Sequence, residues 1–197
     1  MLLRGQAPIA ERPLVPVELS DPEPGEREVR VRVEACAACR TDLHVIEGDL
    51  APERLPLVPG HQVVGRVEKL GAGARRFALG ARVGIAWLRH TCGRCEFCTN
   101  GQENLCPASR YTGWHADGGY AELAVVHEDY AYAIPDVFTP ERAAPLLCAG
   151  IIGYRALARA AAPPRGKLGL FGFGSSAHLV LQLARHRGIE VHVATRG

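Results

Sequence analysis

Four cysteines, Cys92, Cys95, Cys98 and Cys106, stand close together as C-x2-C-x2-C-x7-C. The stretch is polar (Arg94, Glu96, Asn100, Glu103) and broken by Gly93 and Gly101, so a buried apolar role for four thiols is a poor fit. Four thiolates on one flexible loop can close a tetrahedron around zinc, a borderline-soft ion with no geometric demand of its own. With every position filled by sulfur no site stays open, so the spacing predicts a structural metal that contributes folding energy directly. A ferredoxin cluster would also end in Cys-Pro, as Cys106-Pro107 does, but its last spacing is shorter and it draws on a second cysteine set. A nucleic-acid zinc ribbon would use two separated C-x2-C pairs.

Three cysteines remain. Cys36 and Cys39 precede Arg40-Thr41-Asp42-Leu43-His44, and Cys148 sits in Pro145-Leu146-Leu147-Cys148-Ala149-Gly150. Between them runs Pro59-Gly60-His61-Gln62-Val63-Val64-Gly65. Alone, each reads as core or surface, and Cys36-x2-Cys39 also reads as a redox pair. A last motif, Gly172-Phe173-Gly174-Ser175-Ser176-Ala177, is G-x-G-x-x-A after an apolar run and before a helical one, the context of a dinucleotide-binding turn. Gly172 allows the tight turn, Gly174 lets backbone approach a pyrophosphate, and Ala177 lets the helix pack closely. Thr195 and Arg196 follow the next strand, where NAD enzymes place an acid; a hydroxyl and a guanidinium suit a 2′-phosphate better.

The elements that must position these groups follow from periodicity. Glu28–Ala35 alternates apolar and polar, the mark of a half-buried strand. Further strands are expected at Gln62–Leu70, Ala81–Trp87, Tyr120–Val126 and Tyr130–Ala133, separated by Gly and Pro clusters as in a barrel or sandwich. Thr139-Pro140-Glu141 reads as an N-cap, a Pro at N1 and an early acid, so a helix starts there. A second is expected over Gly153–Ala162, then one βαβ unit from Lys167 to Ala194. Several apolar residues of that unit, Phe171 and Val193 among them, would stay uncovered.

Composition narrows the classes. The chain has 197 residues, 47% hydrophobic and 22% charged, with a net charge of +2. That excludes a disordered chain and gives no electrostatic footprint for nucleic acid. Apolar runs fall short of the ~20 residues of a membrane helix. An odd count of seven cysteines without an export signal argues against a disulfide framework and for a cytoplasmic protein.

Taken together and in order, the motifs resemble the zinc-dependent medium-chain alcohol dehydrogenase family. Gly60-His61-Gln62-x2-Gly65-x5-Gly71-x2-Ala74 is similar to its zinc signature, with Gln62 where the family usually has Glu. The resemblance implies an α+β or α/β chain: a GroES-like β-rich catalytic domain over 1–163, with a structural zinc lobe at 88–110, and a partial Rossmann domain over 164–197. It implies two zinc ions. The catalytic one would be held by Cys39, His61 and Cys148, polarising an alcohol oxygen, with Thr41 and His44 relaying its proton and Asp42 orienting His61. Arg40, Gly172, Gly174, Ala177, Thr195 and Arg196 would bind the cofactor, NADP in preference to NAD, and Trp87 would narrow the alcohol pocket. Ile152 stands where relatives often carry Thr, and Cys36 is left as a buried structural thiol. The substrate would be a small alcohol or aldehyde, and the family forms homodimers or homotetramers. One βαβ unit is less than a Rossmann domain, so the 197-residue chain alone is expected to oxidise alcohols negligibly. The other reading is a zinc-binding module without catalysis.

Overall fold

The computed structural model describes residues 1–196, which form two compact units, one over Met1–Leu147 and one from Cys148 onward. In chain order the first holds β1 (Leu2–Leu3), β2 (Leu14–Val15), β3 (Glu28–Cys36), α1 (Arg40–Glu47), β4 (Val63–Leu70), β5 (Arg82–Ile85) and β6 (Leu88–His90). It continues with α2 (Glu96–Thr99), β7 (Arg110–Tyr111), β8 (Leu123–His127), β9 (Ala131–Ala133) and α3 (Pro140–Ala143). The second holds α4 (Ala149–Ala160), β10 (Lys167–Phe171), α5 (Ser175–His186) and β11 (Glu190–Ala194).

The first unit is organised by an antiparallel sheet in the order β8-β3-β4-β5-β9. Its alternating valines explain it: Val29, Val31, Val63, Val67 and Val83 bury one face together with Ile85 and Val126. Two register shifts along β3 and β4, after Arg30 and after Val33, break the regular pairing, and such bulges bend a sheet and increase its twist. The outward face carries ions: Arg30 Nε lies 2.8 Å from one Glu68 oxygen and Arg32 Nη2 2.7 Å from the other. Glu128, buried beside the sheet, accepts hydrogen bonds from the backbone N–H groups of Arg75 and Arg76, both at 2.7 Å, and from Arg27 Nε at 3.0 Å. Those backbone donors, then burial and Arg27, act on its carboxyl with the net effect of lowering its pKa to about 2.

A second cluster supports the site. Val45 and Ile46 of α1 pack on Leu3 and Leu57, all four buried, with Trp114 against them. Helix α1 is absent from the sequence reading. Its N-cap is a cysteine, outside the usual Ser, Thr, Asp and Asn, and its apolar stripe is only Leu43, Val45 and Ile46. Elsewhere the borders move. The strand expected from Tyr120 begins at Leu123, because Gly118, Gly119 and Tyr120 are engaged in backbone bonds to Val58, Gly60 and Pro59. The helix at Pro140 has Thr139 as N-cap but runs only to Ala143 before a 3₁₀ turn, Ala144–Leu147.

In the second unit, the helix expected from Gly153 starts earlier, at Ala149. Strands β10 and β11 pair in parallel across the crossover helix α5. Leu168, Leu170, Leu183 and Val191 are partly buried against Leu157, Val180, Ala184 and Ile189, so α4 and α5 cover more of this unit than its isolated βαβ pattern implies. Phe171 and Val193 do stay exposed. Among the described residues, no helix is long and apolar enough to cross a membrane, and none of the seven cysteines is in a disulfide.

Candidate functional site

The four lobe cysteines converge. Their sulfur atoms all lie within 4.8 Å of one another, with Cys95 to Cys98 at 3.5 Å and Cys92 to Cys98 at 4.0 Å. Two sulfurs on one tetrahedral zinc are about 3.8 Å apart for a Zn–S bond of ~2.3 Å, so the cluster has the size of a zinc cage. Backbone supplies the electrostatics. The N–H of Cys95 donates to Cys92 Sγ at 3.3 Å, and that of Cys92 to Cys106 Sγ at 3.4 Å. Backbone donors from Arg94 and Cys95 lower the Cys92 thiol to about 6. The Cys98 N–H pulls Cys95 the same way, but burial and the neighbouring sulfurs win and push it up to about 11. Packed thiols that cannot all ionise together are a site whose charge a dication would neutralise.

The second constellation is built around the start of α1. Cys39 is the N-cap: its Sγ accepts from the Thr41 N–H at 3.4 Å, and Asp42 Oδ2 accepts from the Cys39 N–H at 2.8 Å. The other Asp42 oxygen accepts from His61 Nδ1 at 2.8 Å. One carboxylate therefore caps the helix and holds the imidazole, and both members of the pair are almost wholly buried, at 1% and 4% exposure. His61 turns its Nε2 to Cys39 Sγ at 3.5 Å. A sulfur and a nitrogen on one tetrahedral zinc stand about 3.5 Å apart, so this pair also fits the ion. Burial works against a charged His61, yet Asp42 and Cys39 outweigh it and hold its pKa up at about 9. Ligation takes the neutral ring, so a cation would displace that proton.

Around this pair the structure places the other named residues of the first unit. Arg40 is exposed at the first position of α1, Thr41 is half-buried in its first turn, and His44 sits in its last. Gln62 is buried, and its amide donates to the Ala37 carbonyl at 3.3 Å. Trp87 meets His61 edge-on, with ring centroids 4.9 Å apart. Cys36 is half-buried rather than enclosed, and burial pushes its thiol up to about 12.

Two groups escaped the sequence reading. Tyr111 and Trp114 stack with Trp87 at 4.8 and 5.8 Å, making an aromatic wall; separated rings give no periodic signal. Tyr120 presents its hydroxyl to Asp42, and burial and that carboxylate push its pKa up. The nearby cavity of about 360 Å³ is lined by Tyr120, Cys39 and Asp42 with apolar residues such as Leu14 and Ile46.

The second unit is described by itself. Cys148 is the N-cap residue of α4, and Ile152 is exposed on that helix. Gly172 has φ +87°, a conformation glycine adopts freely, and its N–H bonds the Ala194 carbonyl at 2.7 Å. Gly174 is the N-cap of α5, with nothing within 4 Å of where a Cβ would project, and Ala177 lies in the first turn. Thr195 and Arg196 are exposed and, with Gly172 and Ala194, line a depression of about 580 Å³.

Comparison with known proteins places this geometry. The chain is 53% identical to the probable alcohol dehydrogenase AdhA of Mycobacterium tuberculosis, over 99% of its own length and 58% of that protein's. A cobalt- and zinc-bound thermostable alcohol dehydrogenase from Pyrobaculum aerophilum superposes with a TM-score of 0.90 at 28% identity, over 99% of this chain and 58% of the other. CAD from Helicobacter pylori, complexed with NADP(H), does so at 0.81 and 29%, over 88% and 52%. The chain thus spans somewhat more than half the length of these relatives. Residues 25–136, more than half of the sequence and including β3, α1, β4 and the cysteine lobe, match the alcohol dehydrogenase GroES-like domain. The mixed α/β fold with its bent sheet is that of medium-chain alcohol dehydrogenases, and the chain belongs to the alcohol dehydrogenase GroES-like domain family.

Proposed function

We propose that this chain is the zinc-binding part of an alcohol dehydrogenase that moves a hydride between a small alcohol or aldehyde and NAD(P). The observation that carries the reading is the Cys39–His61 pair, 3.5 Å apart, with Asp42 behind the imidazole. Cys148 completes this ligand set by family resemblance, and Cys92, Cys95, Cys98 and Cys106 hold the second, structural ion. Cys39, His61 and Cys148 would hold a zinc ion, which would supply Lewis-acid polarisation of an alcohol oxygen.

The chain's own residues do the rest. Asp42 holds the Nδ1 proton of His61 and so keeps Nε2 as the ligating atom. Thr41, two residues from Cys39, takes the proton of the substrate hydroxyl, and His44 passes it to solvent. Trp87, with Tyr111 and Trp114 stacked on it, limits the width of the alcohol pocket and keeps water from it. Arg40 would pair with a phosphate of the cofactor, and Gly172, Gly174 and Ala177, at the start of α5, would give its pyrophosphate room and backbone donors. Thr195 and Arg196 favour the 2′-phosphate of NADP over NAD. The division into a catalytic domain, 1–163, and a nucleotide-binding segment, 164–197, and a cytoplasmic location belong to the same reading.

Metal analysis of the purified protein tests it. Two zinc per chain are expected, one lost in His61→Ala and the other in Cys95→Ser. A single zinc per chain, unaffected by His61→Ala, would sink the catalytic-site reading. Titration with NADPH and NADH, followed by their dihydronicotinamide fluorescence, tests the cofactor preference; tighter binding of NADH would reverse it.

A further inference from the structure

The end of α1 turns back on itself in a way the reading above leaves unused. Gly48, at φ +105°, caps the helix in a conformation that side chains resist, and its N–H bonds the His44 carbonyl at 3.2 Å. The Leu50 N–H bonds the same carbonyl at 2.9 Å, so the chain wraps around His44. Gln6 seals the turn, its Nε2 donating to the Val45 and Leu50 carbonyls at 2.7 and 3.1 Å. The product of this folding is that Asp49 faces the His44 ring, with Oδ2 2.6 Å from Nδ1.

We propose that Asp49 is a positioning residue for His44: it fixes the ring with Nδ1–H toward the turn and leaves Nε2 as the one nitrogen that exchanges a proton. A carboxylate only accepts, so the hydrogen in that contact belongs to Nδ1. The hydrogen bond made by one ring nitrogen sets which of the two carries the proton. A neutral imidazole so held can take a proton only at Nε2 and can pass it on when the ring meets water. His44 is open to that exchange, with about a third of its side chain exposed. The clamp rests on these distances; its use in catalysis rests on the relay proposed above.

Ring-nitrogen NMR of the histidine-labelled full chain tests it, recorded at alkaline pH. His44 is assigned by the signal lost in His44→Gln. The wild type is expected in the Nδ1–H tautomer. Asp49→Ala is expected to lose that form, with Nε2–H becoming the major one. Asp49→Asn, whose amide oxygen still accepts, is expected to keep it. An Nε2–H wild type, or a tautomer unchanged by Asp49→Ala, would overturn the clamp. The relay fails by a different result: zinc content unchanged in His61→Ala would remove the catalytic-site reading and the relay with it, and leave the clamp standing.

Discussion

The cysteine lobe and the Cys39–His61 pair hold similar donors by different means. The lobe draws all four sulfurs from residues 92–106, and the hydrogen bonds that orient them come from the same loop. The Cys39–His61 pair joins a helix N-cap to a residue 22 positions later, and neither is placed without the packing of α1 on Leu3 and Leu57. A local site answers to its own sequence, whereas a distributed site answers to the whole unit. Metal loss should therefore damage the lobe locally, while core mutations should reach the second site from a distance.

The largest effect is expected on the lobe. Structural zinc in small thiolate sites carries apparent binding energies of roughly 10–16 kcal/mol, and that energy is also folding energy. Cys98→Ser should remove one zinc and open residues 88–110 to proteolysis, with the His61-dependent metal retained. Loss of both ions together would break the distinction. Next comes His61→Ala, which leaves the Asp42 carboxylate buried without its partner; about 3–5 kcal/mol of stability should go, measured by urea unfolding. A cost below ~1 kcal/mol, the range of solvated pairs, would show that Asp42 is wet.

Leu57→Ala sharpens the comparison because it touches neither metal set. Emptying a fully buried leucine site costs about 2–5 kcal/mol, and zinc bound through His61 should weaken while lobe zinc stays. Equal weakening of both would refute the independence of the lobe. The smallest effect is expected at Glu128, whose carboxylate bonds Arg27 and the backbone of Arg75 and Arg76 rather than a residue of either metal set. Its carboxyl is depressed from 4.5 to about 2, so the stability it adds is complete above ~4.5 and is lost as pH falls toward 2. Glu128→Gln should flatten that acid limb of thermal stability; an unchanged acid limb would place the titration elsewhere.

The convergence of the four lobe sulfurs was legible because its information is local: residue type and short spacing already bring them together. Strand β3 was legible because its alternation is strong, and β10 and β11 because the glycine turn and helix between them form one pattern. Helix α1 was not, since its cap is a cysteine and its signal is short. The start of β8 was misplaced by three residues because Gly118, Gly119 and Tyr120 spend their backbone bonds on the Val58–Gly60 segment, a partner that no window around Tyr120 contains.

Asp42 shows where the boundary falls. Its place after Cys39 determines that it can cap the helix, since an acid at the third helical position reaches back to the N-cap N–H. That its second oxygen also accepts a hydrogen bond from His61 Nδ1–H depends on β4 pairing with β3, which brings the start of β4 beside the end of β3. Asp49 went unread with α1: Gly48 supplies the left-handed turn that ends the helix, and only the Gln6 and Leu50 contacts decide which way that turn folds and what the carboxylate meets. Residue type and short spacing determined which chemistry was available to this chain. Tertiary structure decided which groups share it, because a hydrogen bond depends on a separation of about 3 Å in space, whatever the separation along the chain.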